Sequence, residues 1–370
     1  MEMDTTDKHD YAFFDNLIDQ GACFFLFRRP YGQLELAVFQ HTDIECYTDI
    51  RQLNGKEGFI MVPFIPDSYH PVILLRSPTL MSGETVIFNY IATVYNTTEH
   101  FQPTTPPKKH KLDSTEDTYY AAFNKIITEL HTGSCQKVVL SRALTLDKPL
   151  HFSAGKTFSA ACEAYPEAFI YLCNNPVSGT WIGSSPELLL SGNDTNWQTV
   201  ALAGTMSKKT STIEKDWDDK NITEQKVVSV YIEEILNARN LAYMKSKAEP
   251  VKAGRLMHLK TDFCFQTKDH YPIGDLLEQL HPTPAVCGYP KNQALQLIIN
   301  YEGYDRSYYS GFIGFLSEKG ETVLYVNLRC MRIDDKNLTL FAGGGLLSVS
   351  DYKTECKETN AKLQTMLSLI

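Results

Sequence analysis

The sequence has no uninterrupted apolar run of about 20 residues, the length a helix needs to span a bilayer, and no membrane association is expected. Its acidic start, Met1-Glu2-Met3-Asp4, leads into no long apolar stretch, so no signal peptide is expected either. Basic residues cluster nowhere beyond Lys108-Lys109-His110-Lys111, and the net charge is -9. That balance disfavours a nucleic-acid partner, whose phosphates would require a basic face. The nine cysteines (23, 46, 135, 162, 173, 264, 287, 330 and 356) form no CxxC pair. A disulfide framework and a zinc site are both disfavoured, and a cytoplasmic location fits. What is present is material for a large core: 370 residues, 43% of them hydrophobic, enough for two domains or one large soluble one.

Residues 1–100 carry short β-rich runs such as Ala22-Cys23-Phe24-Phe25-Leu26-Phe27 and Val72-Ile73-Leu74-Leu75, punctuated by Gly, Pro and Asp. They show no chemistry, and they read as a variable N-terminal part of the same fold. The Pro- and Lys-rich stretch within 101–113 reads as an exposed linker. Residues 114–370 then form the functional region. A helix is expected from Ser114 towards Gly133, because Tyr119, Phe123, Ile126, Ile127 and Leu130 recur at helical spacing. Lys137 to Leu146 reads as a strand with Lys137, Val139 and Ser141 on one face. Lys137 is then either a solvated edge lysine or a lysine at the mouth of a pocket.

A short helix (156–165) and apolar strands (168–173 and 180–191) are expected next. In Gly183-Ser184-Ser185-Pro186-Glu187, a small-residue turn delivers one carboxylate into an apolar run. Such an acid either caps backbone or has a raised pKa. Val200 to Thr205 reads as a strand ending on the corner Ala203-Gly204-Thr205. The segment 212–240 is the longest helical candidate, with Glu224 beside its apolar stripe of Val227, Val228, Tyr231, Ile232, Ile235 and Leu236. Residues 251–266 read as one strand and 273–280 as a helix.

The loop His281-Pro282-Thr283-Pro284-Ala285-Val286-Cys287-Gly288-Tyr289-Pro290 is too rich in proline and glycine for helix or central strand. Binding residues gather on shaped loops of this kind. A helix (291–301), strands (308–316, 322–333 and 337–342) and the glycine corner Gly343-Gly344-Gly345 follow. A last helix begins at the N-cap pair Ser350-Asp351. On it Glu355, Glu358 and Lys362 share a face, either as a solvent-exposed ion-pair ladder or as part of a site.

Taken in order, Lys137-Val138-Val139-Leu140-Ser141-Arg142, Gly183 to Glu187, Ala201-Leu202-Ala203-Gly204-Thr205, Glu224, His281 to Ala285, Glu302 with Arg306, Leu328-Arg329 and Glu358-Thr359-Asn360-Ala361-Lys362 resemble the chorismate-utilising enzymes. The resemblance runs from about residue 114 to the C-terminus, and within the superfamily the chain looks like an isochorismate synthase. It implies an α/β (α+β) fold of two stacked antiparallel sheets flanked by outer helices, like anthranilate synthase component I. It also implies a Mg²⁺-dependent, reversible isomerisation of chorismate to isochorismate, with water added at C2 and the C4 hydroxyl lost. By resemblance Lys137 is the general base and Glu187 the general acid, and Glu224 and Glu358 hold Mg²⁺. Thr205, Ala285, Val286, Tyr309, Arg329, Gly343, Gly344 and Lys362 contact substrate. A menaquinone destination is preferred over a siderophore one, because that pathway is the more widespread, and a monomer is expected.

Other readings remain open. Anthranilate and aminodeoxychorismate synthases use ammonia and usually carry glutamine in place of Lys137 and threonine in place of Ala285; the latter enzymes also tend to carry lysine in place of Ala203. Water needs a stronger base than ammonia does, so Lys137 favours a water nucleophile. Salicylate synthases share the lysine but generally have threonine at Ala285. A non-catalytic, ligand- or partner-binding homologue is the reading from another class. The family often has His at Gln225, Trp at Cys356 and Gly at Ala342, and these three positions depart from it.

Overall fold

Short β-branched and aromatic runs of two to twelve residues, separated by turns, give a chain dominated by strands. The computed structural model describes residues 10–95, 116–207, 217–254, 256–317 and 320–370. The N-terminal part holds α1 (Phe13–Asp19), β1 (Cys23–Arg28), β2 (Leu34–Phe39), β3 (Ile44–Tyr47), β4 (Gly58–Val62), β5 (Val72–Leu75), β6 (Thr79–Ser82) and α2 (Glu84–Tyr95). Then come α3 (Glu116–His131), β7 (Lys137–Asp147), α4 (Ala154–Ala164), β8 (Phe169–Asn175), β9 (Gly179–Ser185), β10 (Leu188–Asn193) and β11 (Asn196–Ser207). The middle carries α5 (Asp219–Ala238), β12 (Tyr243–Lys245), β13 (Glu249–Ala253), β14 (Leu256–Gln266), α6 (Ile273–Leu280), β15 (Gly288–Tyr289) and α7 (Lys291–Tyr301). The chain ends with β16 (Phe312–Leu316), β17 (Thr322–Val326), β18 (Cys330–Ile333), β19 (Asn337–Leu346) and α8 (Tyr352–Leu367).

Two antiparallel sheets result. One runs β15-β7-β19-β18-β9-β8-β1-β2-β6 and the other β12-β14-β11-β10-β17-β16-β4-β5-β3, with β13 added on β14. They stack face to face through an aromatic layer in which Phe169 of β8 lies parallel to Tyr325 of β17, ring centroids 4.3 Å apart. Helices α1, α2, α4 and α8 cover the outer face of the first sheet, and α5 and α6 that of the second. Buried Val228, Ile232 and Leu236 of α5 sit at the helical repeat expected from the sequence. Each such side chain contributes about 1.5–3 kcal/mol by leaving water. This is the expected fold of two stacked antiparallel sheets with outer helices. The N-terminal strands belong to both sheets, with β1, β2 and β6 in the first and β3, β4 and β5 in the second.

Several expected elements divide or extend. Residues 249–266 form two strands, because Gly254 (φ +63°) turns the chain into a hairpin that pairs Ala253 with Leu256. The expected strand 322–333 breaks at Asn327–Arg329, so β17 lies in the second sheet and β18 in the first. The strand expected at 308–316 starts only at Phe312, and β19 runs on through its glycines to Leu346. The linker within 101–113 lies outside the described residues, as do Ser114 and 212–216 of the long helical candidate.

Candidate active site

The break between β17 and β18 puts Arg329 in the left-handed region (φ +47°), where an L-residue is strained. Its carbonyl accepts from the Ser184 amide at 3.1 Å, which holds the turn against β9. The guanidinium then points between the sheets, where Nη1 donates to Thr365 Oγ1 (3.2 Å) and Nη2 to His258 Nε2 (3.2 Å). A guanidinium has only donors, so His258 Nε2 accepts and its proton sits on Nδ1, which donates to the Gly204 carbonyl at 2.7 Å. Burial, and then Arg329 and Lys362, pull the imidazole pKa down to about 3, which keeps it neutral and able to accept. In the sequence His258 reads only as part of the 251–266 strand, with no role of its own, because it alternates like any buried strand residue.

Glu187 sits just past the end of β9, 4% exposed. Burial raises its carboxyl pKa to about 8, against the opposing pull of Lys137, Lys362 and Arg329 and a hydrogen bond from the Thr283 hydroxyl. Of the two readings open for this acid, its burial favours the raised pKa. Thr283 belongs to the proline-rich loop, and its hydroxyl also accepts from the Ala285 amide at 3.3 Å.

Three lysine–carboxylate pairs line up behind the glycine corner. Lys137 Nζ lies 3.0 Å from Glu224 Oε1, Lys220 2.7 Å from Glu355 Oε1, and Lys362 2.7 Å from Glu358 Oε1. Lys137 is fully buried, and its contact to Glu224 is an ion pair without hydrogen-bond alignment. Lys362 also donates to the Gly343 carbonyl at 2.8 Å. The corner must be glycine, for a Cβ at Gly345 would lie 2.2 Å from Glu224 Oε1, and one at Gly344 3.1 Å from Glu355 Oε2. Lys137 and Glu355 are shut off from solvent, and Glu358 is largely covered, its side chain 13% exposed. Lys362 and Lys220 hold the Glu358 carboxyl down to about 2 despite its burial.

Glu187, Thr205, Glu224, Ala285, Val286, Tyr309, Arg329, Gly343 and Lys362 border one cleft, together with His258. Val139, Leu202, Leu328 and Phe341 supply its apolar wall. Lys137, Gly344 and Glu358 stand one contact further in, against Glu224, Gly343 and Lys362. Glu355 and Lys220 had no assigned role in the sequence. Their pairing is visible only once α5 and α8 meet at β19.

The donor set fits a hard cation. Glu224 and Glu358 offer oxygen only, and Glu355 Oε2 is buried without a hydrogen-bond partner. No three acidic, histidine or cysteine side chains among the described residues converge closely enough to hold a metal by themselves. Mg²⁺ asks for no more than one or two carboxylates, leaving its other positions to water and substrate oxygens. Among the described residues no helix is long and apolar enough to cross a membrane.

The isochorismate synthase DhbC of Bacillus subtilis (strain 168) is 28% identical over 293 residues, 73% of this chain and 69% of that protein. The isochorismate synthase EntC of Escherichia coli (strain K12) is 27% identical over 246 residues, 64% of this chain and 63% of that protein. The matches thus span about two thirds of these relatives. The solved structure of MenF, the menaquinone-specific isochorismate synthase of Escherichia coli, shares the fold with a TM-score of 0.76 at 21% identity, covering 99% of this chain and 92% of that one. The family model described as chorismate binding enzyme matches residues 81–370, well over half of the sequence. By that match the chain belongs to the chorismate-binding enzyme family.

Proposed function

We propose that the protein is an isochorismate synthase that adds water at C2 of chorismate and expels the C4 hydroxyl, reversibly. The observation that carries this reading is the placement of two ionisable groups around one cleft, Glu187 on its wall and Lys137 buried one contact behind it, against Glu224. Glu187 is kept protonated at neutral pH by burial, and Lys137 is an amine shut away from bulk water.

In this reading Lys137 Nζ takes the proton from the attacking water, and Glu187 delivers its proton to the departing C4 hydroxyl. Arg329 binds a substrate carboxylate by its planar fork, held in place by neutral His258, and Lys362 adds a point charge. Glu224 and Glu358 would hold a Mg²⁺ ion, which supplies positive charge for the dicarboxylate substrate when bound. Thr205, Ala285, Val286, Tyr309 and Gly343 shape the surface against the ring, with Gly344 behind Gly343, and Leu202, Phe341 and Val139 keep water other than the nucleophile out.

Lys137, Ala203 and Ala285 support a water nucleophile over ammonia, and Ala285 supports isomerisation over salicylate formation. The protein is proposed to act as a cytoplasmic monomer serving menaquinone synthesis, and all nine cysteines are free, as a reducing compartment requires. The test is to incubate purified protein with chorismate and Mg²⁺, with and without ammonium, and to identify products by chromatography and mass spectrometry. An ammonium-independent isomer of chorismate, lost on chelation, is the expected product. Anthranilate, aminodeoxychorismate or salicylate would each replace this reading with another member of the family, and no turnover would favour a binding protein. Menaquinone lost on deleting the gene, with siderophores intact, would fix the destination.

A further inference from the structure

Strand β7 carries Lys137 and Val139, and β19 pairs with it along its length from Val138 to Asp147. On its other side, among the described residues, β15 pairs only at Gly288↔Val138 and Tyr289↔Lys137, with one more bond from the Val139 amide to the Cys287 carbonyl (2.7 Å). Beyond that point the ladder is continued by side chains. The Val139 carbonyl accepts from Arg306 Nη2 at 2.7 Å, and the Ser141 amide donates to Glu302 Oε2 at 2.7 Å. Glu302 thus accepts where a strand carbonyl would, and Arg306 donates where a strand amide would.

The same guanidinium reaches a second wall. Arg306 Nη1 donates to the Val286 carbonyl at 2.7 Å, while Nε and Nη2 grip Glu302 at 2.5 and 2.6 Å. Its plane lies 4.3 Å from the centre of the Phe64 ring, and its own carbonyl accepts from the Tyr309 amide at 2.9 Å. The side chains of Glu302 and Arg306 are 1% and 3% exposed. A buried ion pair contributes little net stability over an apolar filling of the same volume. What this pair has, and an apolar filling would lack, is directed hydrogen bonds to Val139 and Val286, two walls of the cleft.

We propose that the Glu302–Arg306 pair is a positioning device, a strand surrogate that locks the base-bearing strand β7 to the loop carrying Ala285 and Val286 and to Tyr309. The inference rests on the isochorismate reading for its kinetic consequence. Neither residue borders the cleft, and both act through backbone that does. Reacting groups displaced by about 1 Å can cost about 10²-fold in rate.

The test uses the full chain with Arg306→Lys and Glu302→Gln. Lysine keeps the charge, but a single ammonium cannot bridge Glu302, Val139 and Val286 at once. Glutamine keeps an acceptor for Ser141, and its amide faces the guanidinium as a second donor. Arg306→Lys is expected to lower kcat about 10²-fold with KM for chorismate changed less than about threefold, because Arg329 and Lys362 are untouched. Glu302→Gln should fall between it and wild type. Hydrogen exchange read by mass spectrometry should quicken in segments 139–143 and 283–290 of Arg306→Lys, and remain at the wild-type rate in β9 and β18. Variants that melt earlier yet keep wild-type kcat per folded molecule, or whose exchange in those segments is unchanged, would overturn the proposal. A wild-type protein inert toward chorismate would sink the isochorismate reading, and the exchange comparison would then decide the clamp by itself.

Discussion

Lys137 Nζ lies 3.0 Å from Glu224 Oε1, and no solvent reaches the lysine. One side chain is the base and the other a metal ligand in the proposed mechanism, so the two roles are coupled. Lys137→Ala should abolish turnover to within about 10²–10⁴-fold below wild type, the usual share of a general base. It also strands a buried carboxylate, which costs about 3–5 kcal/mol. Mg²⁺ should recover part of that loss of stability, measurable as a larger Mg²⁺-dependent rise in melting temperature than wild type shows. An equal rise in both proteins would detach Glu224 from the metal.

As the proposed acid, Glu187 should set the alkaline limb of activity. Its carboxyl is protonated below about 8 and ionises above it, so kcat/KM should fall as pH rises through about 8. Glu187→Gln preserves the shape but not the proton, and should lose about 10²–10⁴-fold in kcat. A pH profile flat from 7 to about 9.5 would remove Glu187 as the acid.

Acid stability follows from buried histidines. His258 and His281 have folded pKa values of about 3 against 6.5 ordinarily, burial being the first cause for both. Each unfolded histidine therefore takes up a proton that the folded one refuses, so stability is present above about 6.5 and lost as pH falls toward 3. Glu187 works the other way, because its raised pKa lets the folded state hold a proton between about 4.5 and 8 that the unfolded state releases. For these three groups the net is uptake of about one proton on unfolding, hence a contribution of about 1.4 kcal/mol per pH unit lost as pH falls from about 6 to 5, partly offset by the raised Glu35 and Glu355 carboxyls. Denaturant midpoints across that range measure it, and a midpoint that rises on acidification would contradict it.

Gly345→Ala tests the crowding at the corner. A Cβ there would meet Glu224 Oε1 at 2.2 Å and Lys137 Cε at 2.8 Å. Relief requires pushing the Lys137–Glu224 pair aside, so kcat should fall by about 10²-fold while the protein stays folded. Unchanged kcat would show that this pair tolerates displacement.

The sequence revealed the chemistry of this site more readily than its geometry. Helix α5 was legible because Val227, Val228, Tyr231 and Ile235 repeat on one face, and α8 because Asp351 caps it, accepting from the Thr354 amide at 2.9 Å. The residues of the expected constellation come together, although no single stretch contains more than a few of them. The break at Asn327–Arg329 was hidden, because Val323 to Ile333 reads as one β-rich run while its halves join different sheets. The hairpin turn at Gly254 was missed for the same reason. The burial of Lys137 and the pairing of Lys220 with Glu355 were equally out of reach, since both depend on which elements pack against β19. The Glu302–Arg306 spacing of i, i+4 was visible, whereas its bonds to Val139 and Val286 are tertiary.

The most direct test of the mechanism is to run the reaction in water enriched in ¹⁸O, with chorismate and Mg²⁺, and to locate the label. The account predicts that the isomeric product carries one heavy oxygen, placed on C2, and that Lys137→Ala forms it about 10²–10⁴-fold more slowly. An isomer without label would mean that the hydroxyl moves within the substrate, and the water-activating role of Lys137 would be wrong.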